Sequence, residues 1–137
     1  EVGDLVAHYL AADVLLACPR CDGINLVAKE YCAVHGDGQG VGVLILSPRA
    51  GASAELTNAI LPRELTPTAV ADAILRALRL PAADAGYRMG GLHRHVMRFH
   101  ASRWADLFLD ELDVVGPARE LRSTTGATDR QQRRSER

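Results

Sequence analysis

Asp22-Gly23-Ile24-Asn25-Leu26-Val27-Ala28-Lys29-Glu30-Tyr31 follows closely on Ala12-Asp13-Val14-Leu15-Leu16-Ala17-Cys18, and the change of pattern between them decides the fold. The first run is apolar and contains a β-branched residue, so 13–18 reads as a buried strand. After Gly23 the apolar positions Ile24, Val27, Ala28 and Tyr31 recur at helical spacing, which predicts a helix over about 24–34. Strand, tight loop and helix in that order form the opening of a βα unit. In an open α/β sheet its loop lies at the carboxyl end of the strand, where ligands of such folds bind. The first helical turn, near Ile24, Asn25 and Leu26, presents N–H groups without intrahelical acceptors at the positive end of the helix dipole. Such a place suits a phosphate.

Glu30 adds a second point of contact. It stands four residues after Leu26, on the same helix face and ~6 Å further along. That distance matches the reach from a diphosphate to a ribose, whose two hydroxyls a carboxylate accepts as a pair. Asp22, just before the helix, is placed to accept hydroxyls from whatever the diphosphate carries. The same residues also fit an ordinary βα unit in which Asp22 caps the helix and Glu30 is solvated.

Gly36-Asp37-Gly38-Gln39-Gly40-Val41-Gly42 lacks the G-x-G-x-x-G spacing and precedes a strand, so it reads as a helix-to-strand connection. Val41-Gly42-Val43-Leu44-Ile45-Leu46 is apolar throughout, the signature of a parallel strand covered on both faces. Its carboxyl end, Ser47-Pro48-Arg49-Ala50-Gly51-Ala52, should lie beside the Asp22 loop, its small residues allowing close backbone approach. A short helical stretch is predicted over 55–61. Thr66 as cap and Pro67 at the first helical position begin a helix over 67–79, with Val70, Ala73, Ile74, Ala77 and Leu78 as its core face. Ahead of the first strand, 3–12 is helical with Leu5, Val6, Tyr9 and Leu10 on one stripe, and His8 is read as a surface histidine. A long helical tract runs from 81 to about 113, weakened at Gly86 and Gly90-Gly91.

The decapeptide at 22–31 resembles the D-G-M-N-L-V-A-K-E-Y motif of trehalose-6-phosphate synthases, retaining glycosyltransferases of the GT-B fold. Residues 5–14 (L-V-A-H-Y-L-A-A-D-V), Leu46-Ser47 with Ala50-Gly51-Ala52-Ser53-Ala54-Glu55-Leu56, Val70-Ala71-Asp72-Ala73-Ile74, and Arg103-Trp104-Ala105 with Phe108-Leu109 are similar to that family in order and register. The resemblance implies an α/β fold: a Rossmann-like parallel sheet flanked by helices, partial C-terminal domain of a GT-B glycosyltransferase. It implies transfer of glucose from UDP- or GDP-glucose to glucose 6-phosphate, with no cofactor and no metal required. The donor-binding residues implied are Asp22, Gly23, Ile24, Asn25, Leu26 and Glu30. Backbone N–H groups of Asn25 and Leu26 would hold the diphosphate, Glu30 the ribose and Asp22 the sugar hydroxyls. No catalytic residue is assigned within the chain. Family members are several times longer, so the expectation is a fragment, inactive alone, whose N-terminal domain or its equivalent is missing. Pro48 departs from the family, which often carries an acidic residue there. Related synthases making glucosylglycerol phosphate or coupling cyclitols stay open.

The 137 residues allow one domain, drawn here as 1–116 with a disordered arginine-rich tail over 117–137. A net charge of −1 argues against a nucleic-acid or membrane binder, and without a recognisable leader a cytoplasmic location is expected. Lys29 is the only lysine among basic residues that are otherwise arginine, which hints that its shape matters. Trp104, Phe108 and Leu112 recur at i, i+4, i+8, and with their cover missing they would favour self-association into a homo-oligomer.

The rival pattern is Cys18 and Cys21 with Cys32 and His35, C-x2-C then C-x2-H, which could hold zinc in an interaction module. Against it, the second pair falls ~12–15 Å along the helix from the first. Cys18-Pro19-Arg20-Cys21 as a redox pair is a further reading; free, mostly buried thiols are expected. His93, His95 and His100 are off-register for a shared ligand face and read as solvated.

Overall fold

A computed structural model of the chain describes residues 2–36 and 42–112. It divides into two units, 1–98 and 99–137. The first unit runs α1 (Val2–Ala11), β1 (Val14–Ala17), α2 (Leu26–Val34), β2 (Val43–Leu46), a 3-10 turn (Gly51–Ala54), α3 (Pro67–Leu78) and α4 (Ala82–Arg98). The predicted carboxyl-terminal tail lies outside the described residues.

β1 and β2 pair in parallel, Val14 opposite Val43 through to Ala17 opposite Leu46. Bonds from Val43 N to Asp13 O (2.9 Å) and Ser47 N to Ala17 O (2.8 Å) close the ladder at its two ends. All four residues of β2 are buried. Alternation along the strand sends them to opposite faces, so each face needs its own cover. Leu44 and Leu46 join Ala28, Tyr31, Cys32, Leu56, Met89 and Leu92, bringing α2 and α4 onto one face. Val43 and Ile45 join Ile60, Ala73 and Ala77, bringing α3 onto the other. β1 is less covered than its apolar sequence predicts, with Leu16 45% exposed.

The predicted helix over 55–61 is not formed. The helical turn comes earlier, at Gly51–Ala54, and Ile60 bridges in parallel to Ile45. Ile60 N donates to Leu44 O (2.8 Å) and Leu46 N to Ile60 O (3.0 Å). A backbone group buried against β2 needs these partners more than one further helical turn would stabilise it. Along α3 the expected cap is present, with Ala69 N donating to Thr66 Oγ1 at 3.3 Å. Ala73 and Ala77 face the core as expected, whereas Leu78 is exposed. In α1, Tyr9 is buried while Leu5 and Leu10 are not.

Gly86, Gly90 and Gly91 do not interrupt α4. A Cβ on Gly91 would collide with the Asn58 side chain, so this glycine permits close approach within a packed helix. The tract breaks instead after Arg98. A further helix, α5, spans 101–112, and His100 opens it: Arg103 N donates to His100 Nδ1 (3.4 Å) and Trp104 N to His100 O (3.0 Å). In α5 the Trp104 and Phe108 rings stack at 5.4 Å, with Trp104, Phe108 and Leu112 all exposed. No helix among the described residues is long and apolar enough to cross a membrane.

Leu44 is 1% exposed and belongs to the larger cluster. Leu44→Ala is expected to cost about 2–5 kcal/mol in chemical denaturation, because the ladder prevents the cavity from collapsing.

Candidate functional site at the carboxyl ends of the strands

The loops after β1 and β2 meet where the sheet ends. Asp22 and Ala50 form a parallel bridge, and Gly51 N donates to Asp22 O at 2.9 Å. A Cβ on Gly51 would run into the Gly23 carbonyl oxygen, so only glycine lets the second loop approach the first so closely. Gly23 itself has open space around its Cα and is exposed. What it contributes is backbone, its carbonyl lying against Gly51.

The helix opens at Leu26, two residues later than the sequence predicts. Asn25 is its N-cap and takes a left-handed conformation, φ 51° and ψ 73°, while Asn25 Oδ1 accepts from Ala28 N at 3.0 Å. A short polar side chain tolerates that backbone better than a bulky one and satisfies an orphan donor of the first turn. Ile24 lies ahead of the helix and is 61% exposed. Asp22 is tied to the cap: its Oδ1 accepts from Asn25 N (3.3 Å) and its Oδ2 from Asn25 Nδ2 (2.7 Å). The Asn25 N–H, expected to hold a diphosphate, is thus engaged by Asp22. The first-turn N–H groups of Leu26 and Val27 have no acceptor within the helix. Asp22, Ile24, Asn25, Leu26 and Val27 line an open depression of about 390 Å³ at this end. Asp22 retains lone pairs beyond the two bonds it accepts.

Glu30 projects one turn further along α2 and is exposed. The Tyr9 hydroxyl donates to Glu30 Oε2 at 3.0 Å. Burial, then the hydrogen bond to Glu30, then its charge raise the Tyr9 phenol above its ordinary pKa, so it remains a donor at neutral pH. Sequence reasoning placed Tyr9 only on an apolar stripe; a tyrosine rather than phenylalanine at a buried helical position was the available signal. Lys29, singled out as the only lysine, reaches Glu55 Oε2 at 2.9 Å, joined by His95 Nε2 at 3.6 Å. The hydrogen bond from Lys29 holds the Glu55 carboxyl below its ordinary range.

The zinc pattern is dispersed. Cys32 and His35 are buried in or beside the core, and His35 Nε2 already bonds Tyr9 O at 2.8 Å. Cys18 packs against the α3 face and Cys21 is exposed. Among the described residues no three His, Cys, Asp or Glu side chains converge on a metal position. All three thiols are free, but only Cys32 is buried, which corrects the expectation of mostly buried cysteines. Burial pushes the Cys32 thiol up to about 12 and also raises Cys18. His93 and His95 are not solvated: both are half-buried, and His93 Nδ1 lies 3.1 Å from Cys32 O.

A parallel sheet clothed by helices on both faces, with a helix N-terminus open at the carboxyl edge, defines a Rossmann-like α/β unit. The model for glycosyltransferase family 20 matches residues 1–114, and the chain belongs to that family. It is 44% identical over 117 residues to trehalose-6-phosphate synthase of Mycobacterium leprae (strain TN), covering 85% of this chain and 23% of that protein. The chain therefore spans about a quarter of the length of the curated relatives it matches. An alpha,alpha-trehalose 6-phosphate synthase from Burkholderia multivorans superposes with a TM-score of 0.77 at 37% identity, over 88% of this chain and 26% of that one. An E. coli structure bound with UDP-2-fluoro glucose gives 0.73 at 36%, over 79% and 24%. The fold corresponds to part of a domain of those GT-B structures.

Two expectations follow from this geometry. Asn25→Gly should destabilise the fold less than Asn25→Ala, because both lose the cap but only alanine resists positive φ; the full cap loss is about 0.5–2 kcal/mol. Thermal or denaturant unfolding of the two variants tests it. Glu55 is lowered, so its pairing stabilises the fold above the ordinary carboxylate range and is lost as pH falls through the folded value. At this half-exposed pair the effect is about 0–1 kcal/mol. Glu55→Gln should therefore cost stability at neutral pH and nothing once both states are protonated, as read from denaturation at the two pH values.

Proposed function

We propose that this chain carries the donor-binding part of a retaining trehalose-6-phosphate synthase. It takes a nucleotide-activated glucose, UDP- or GDP-linked, for transfer to glucose 6-phosphate in trehalose biosynthesis in the cytoplasm. The observation that carries the reading is the open amino end of α2, with Asp22 on its lip and Glu30 one turn along. The diphosphate sits on the N–H groups of Leu26 and Val27, where the helix dipole favours negative charge. The Asn25 N–H contributes there once released from Asp22. Glu30 accepts the two ribose hydroxyls, and Asp22 accepts hydroxyls of the glucose. Ile24 lines the depression without a charge of its own, and Gly23 contributes the backbone that packs against Gly51. Support comes from the family match and from the E. coli relative solved with UDP-2-fluoro glucose.

The bond from C1 of glucose to the diphosphate oxygen breaks as the acceptor oxygen bonds to C1 on the same face. The acceptor's proton passes to the departing diphosphate oxygen. As the bond to C1 breaks and before that proton arrives, negative charge accumulates on the diphosphate, where the fixed N–H dipoles of α2 hold it more tightly than in the ground state. This scheme needs no metal or other cofactor.

Glu30→Ala removes a charge-assisted contact worth ~1.5–3 kcal/mol. Affinity for UDP-glucose should fall by about one to two decades, measured by nuclear magnetic resonance titration or calorimetry. Unchanged affinity would count against the ribose role.

A further inference from the structure

Glu30 is exposed on α2, and a solvated glutamate samples several rotamers, so binding a diol through it would require ordering it first. Its carboxylate, however, is already held. Tyr9 Oη donates to Glu30 Oε2 at 3.0 Å across the gap between α1 and α2. That hydroxyl is itself fixed from several sides. The Tyr9 side chain is buried, and its ring meets Tyr31 edge-on at 6.0 Å with an interplanar angle of 83°. The Tyr9 carbonyl accepts from His35 Nε2 at 2.8 Å, and Tyr31 is pinned by its hydroxyl's bond to Ala12 O at 2.8 Å. A phenol has one proton to donate, and here it goes to Glu30. Glu30 Oε1 and the remaining lone pairs of Oε2 stay available as acceptors.

We propose that Tyr9 is a positioning residue for the ribose: it fixes the Glu30 carboxylate in advance, so that the cis-diol of a ribonucleotide meets an ordered acceptor. The inference rests on the ribose reading of Glu30 given above. Tyr9 touches no ligand. It acts by removing rotamer freedom that the nucleotide would otherwise have to remove. Its contribution is therefore confined to ligands that possess the diol.

Tyr9→Phe keeps the ring and its edge contact and deletes only the hydroxyl. UDP and 2′,3′-dideoxy-UDP are titrated by nuclear magnetic resonance into the unaltered chain, Tyr9→Phe, Glu30→Ala and the double variant. Tyr9→Phe should weaken UDP by about three- to tenfold, the range for the net loss of one ordinary hydrogen bond, since Tyr9 touches no ligand, and leave the dideoxy nucleotide unchanged. In the Glu30→Ala background it should have no further effect on either. Equal weakening of both nucleotides, or of neither, overturns the positioning role. If Glu30→Ala meanwhile abolishes the preference for UDP, the ribose reading survives that failure. Should Glu30→Ala leave the preference intact, or should the unaltered chain bind no UDP, the ribose reading fails and the inference with it.

Discussion

The hydrogen bond from Gly51 N–H to the Asp22 carbonyl ties together two loops across a sequence separation of 29 residues. It exists because β1 and β2 run parallel in a register that ends both strands at the same level, Ala17 opposite Leu46. Parallel pairing is the condition for everything at that edge. It requires α2 as the crossover between the strands, and so delivers that helix's amino end to the point where the loops meet. The close fit of Gly51 on Gly23 then fixes the height at which Asp22 stands.

Helix α2 is held at both ends by different chemistry. At the start, Asp22 bonds Asn25 twice and Asn25 caps Ala28, a local arrangement built from four consecutive loop residues and the first turn. At the finish, His35 reaches across to the Tyr9 carbonyl. Between these anchors Tyr31 and Cys32 are fully buried, while Glu30 faces outward toward the Tyr9 hydroxyl. A helix secured in this way presents its dipole and its carboxylate in a fixed relation. That fixed relation is what stabilisation of a developing charge requires, since dipoles that must reorganise contribute less.

Local pattern and tertiary demand disagree in a few places, and the same cause recurs. Ile60 leaves a helix-compatible segment because β2 has backbone groups that must be paired on its far side. Gly91 stays helical because Asn58 packs against it. His93 is drawn to the Cys32 carbonyl because α4 lies on α2. In each case a neighbour distant in sequence sets the outcome, and no window of a dozen residues contains that neighbour.

The amino-acid sequence by itself determined the parallel α/β class, the crossover from β1 through α2 to β2, the capped start of α3 and the family resemblance. These depend on period, β-branching and turn chemistry, all of which are local and repeat over several residues. It also marked Asp22, Asn25, Leu26 and Glu30 as neighbours on one loop and one helix face, because helical spacing alone brings them together. Only the tertiary structure decided that α2 begins at Leu26 with Asn25 left-handed, that Asp22 occupies the Asn25 N–H, and that Cys32 and His35 turn inward from Cys18 and Cys21. Tyr9 as the partner of Glu30 belongs to the same group. Burial and hydrogen-bond satisfaction choose among the partners a sequence offers, and those partners become neighbours only once the sheet has closed.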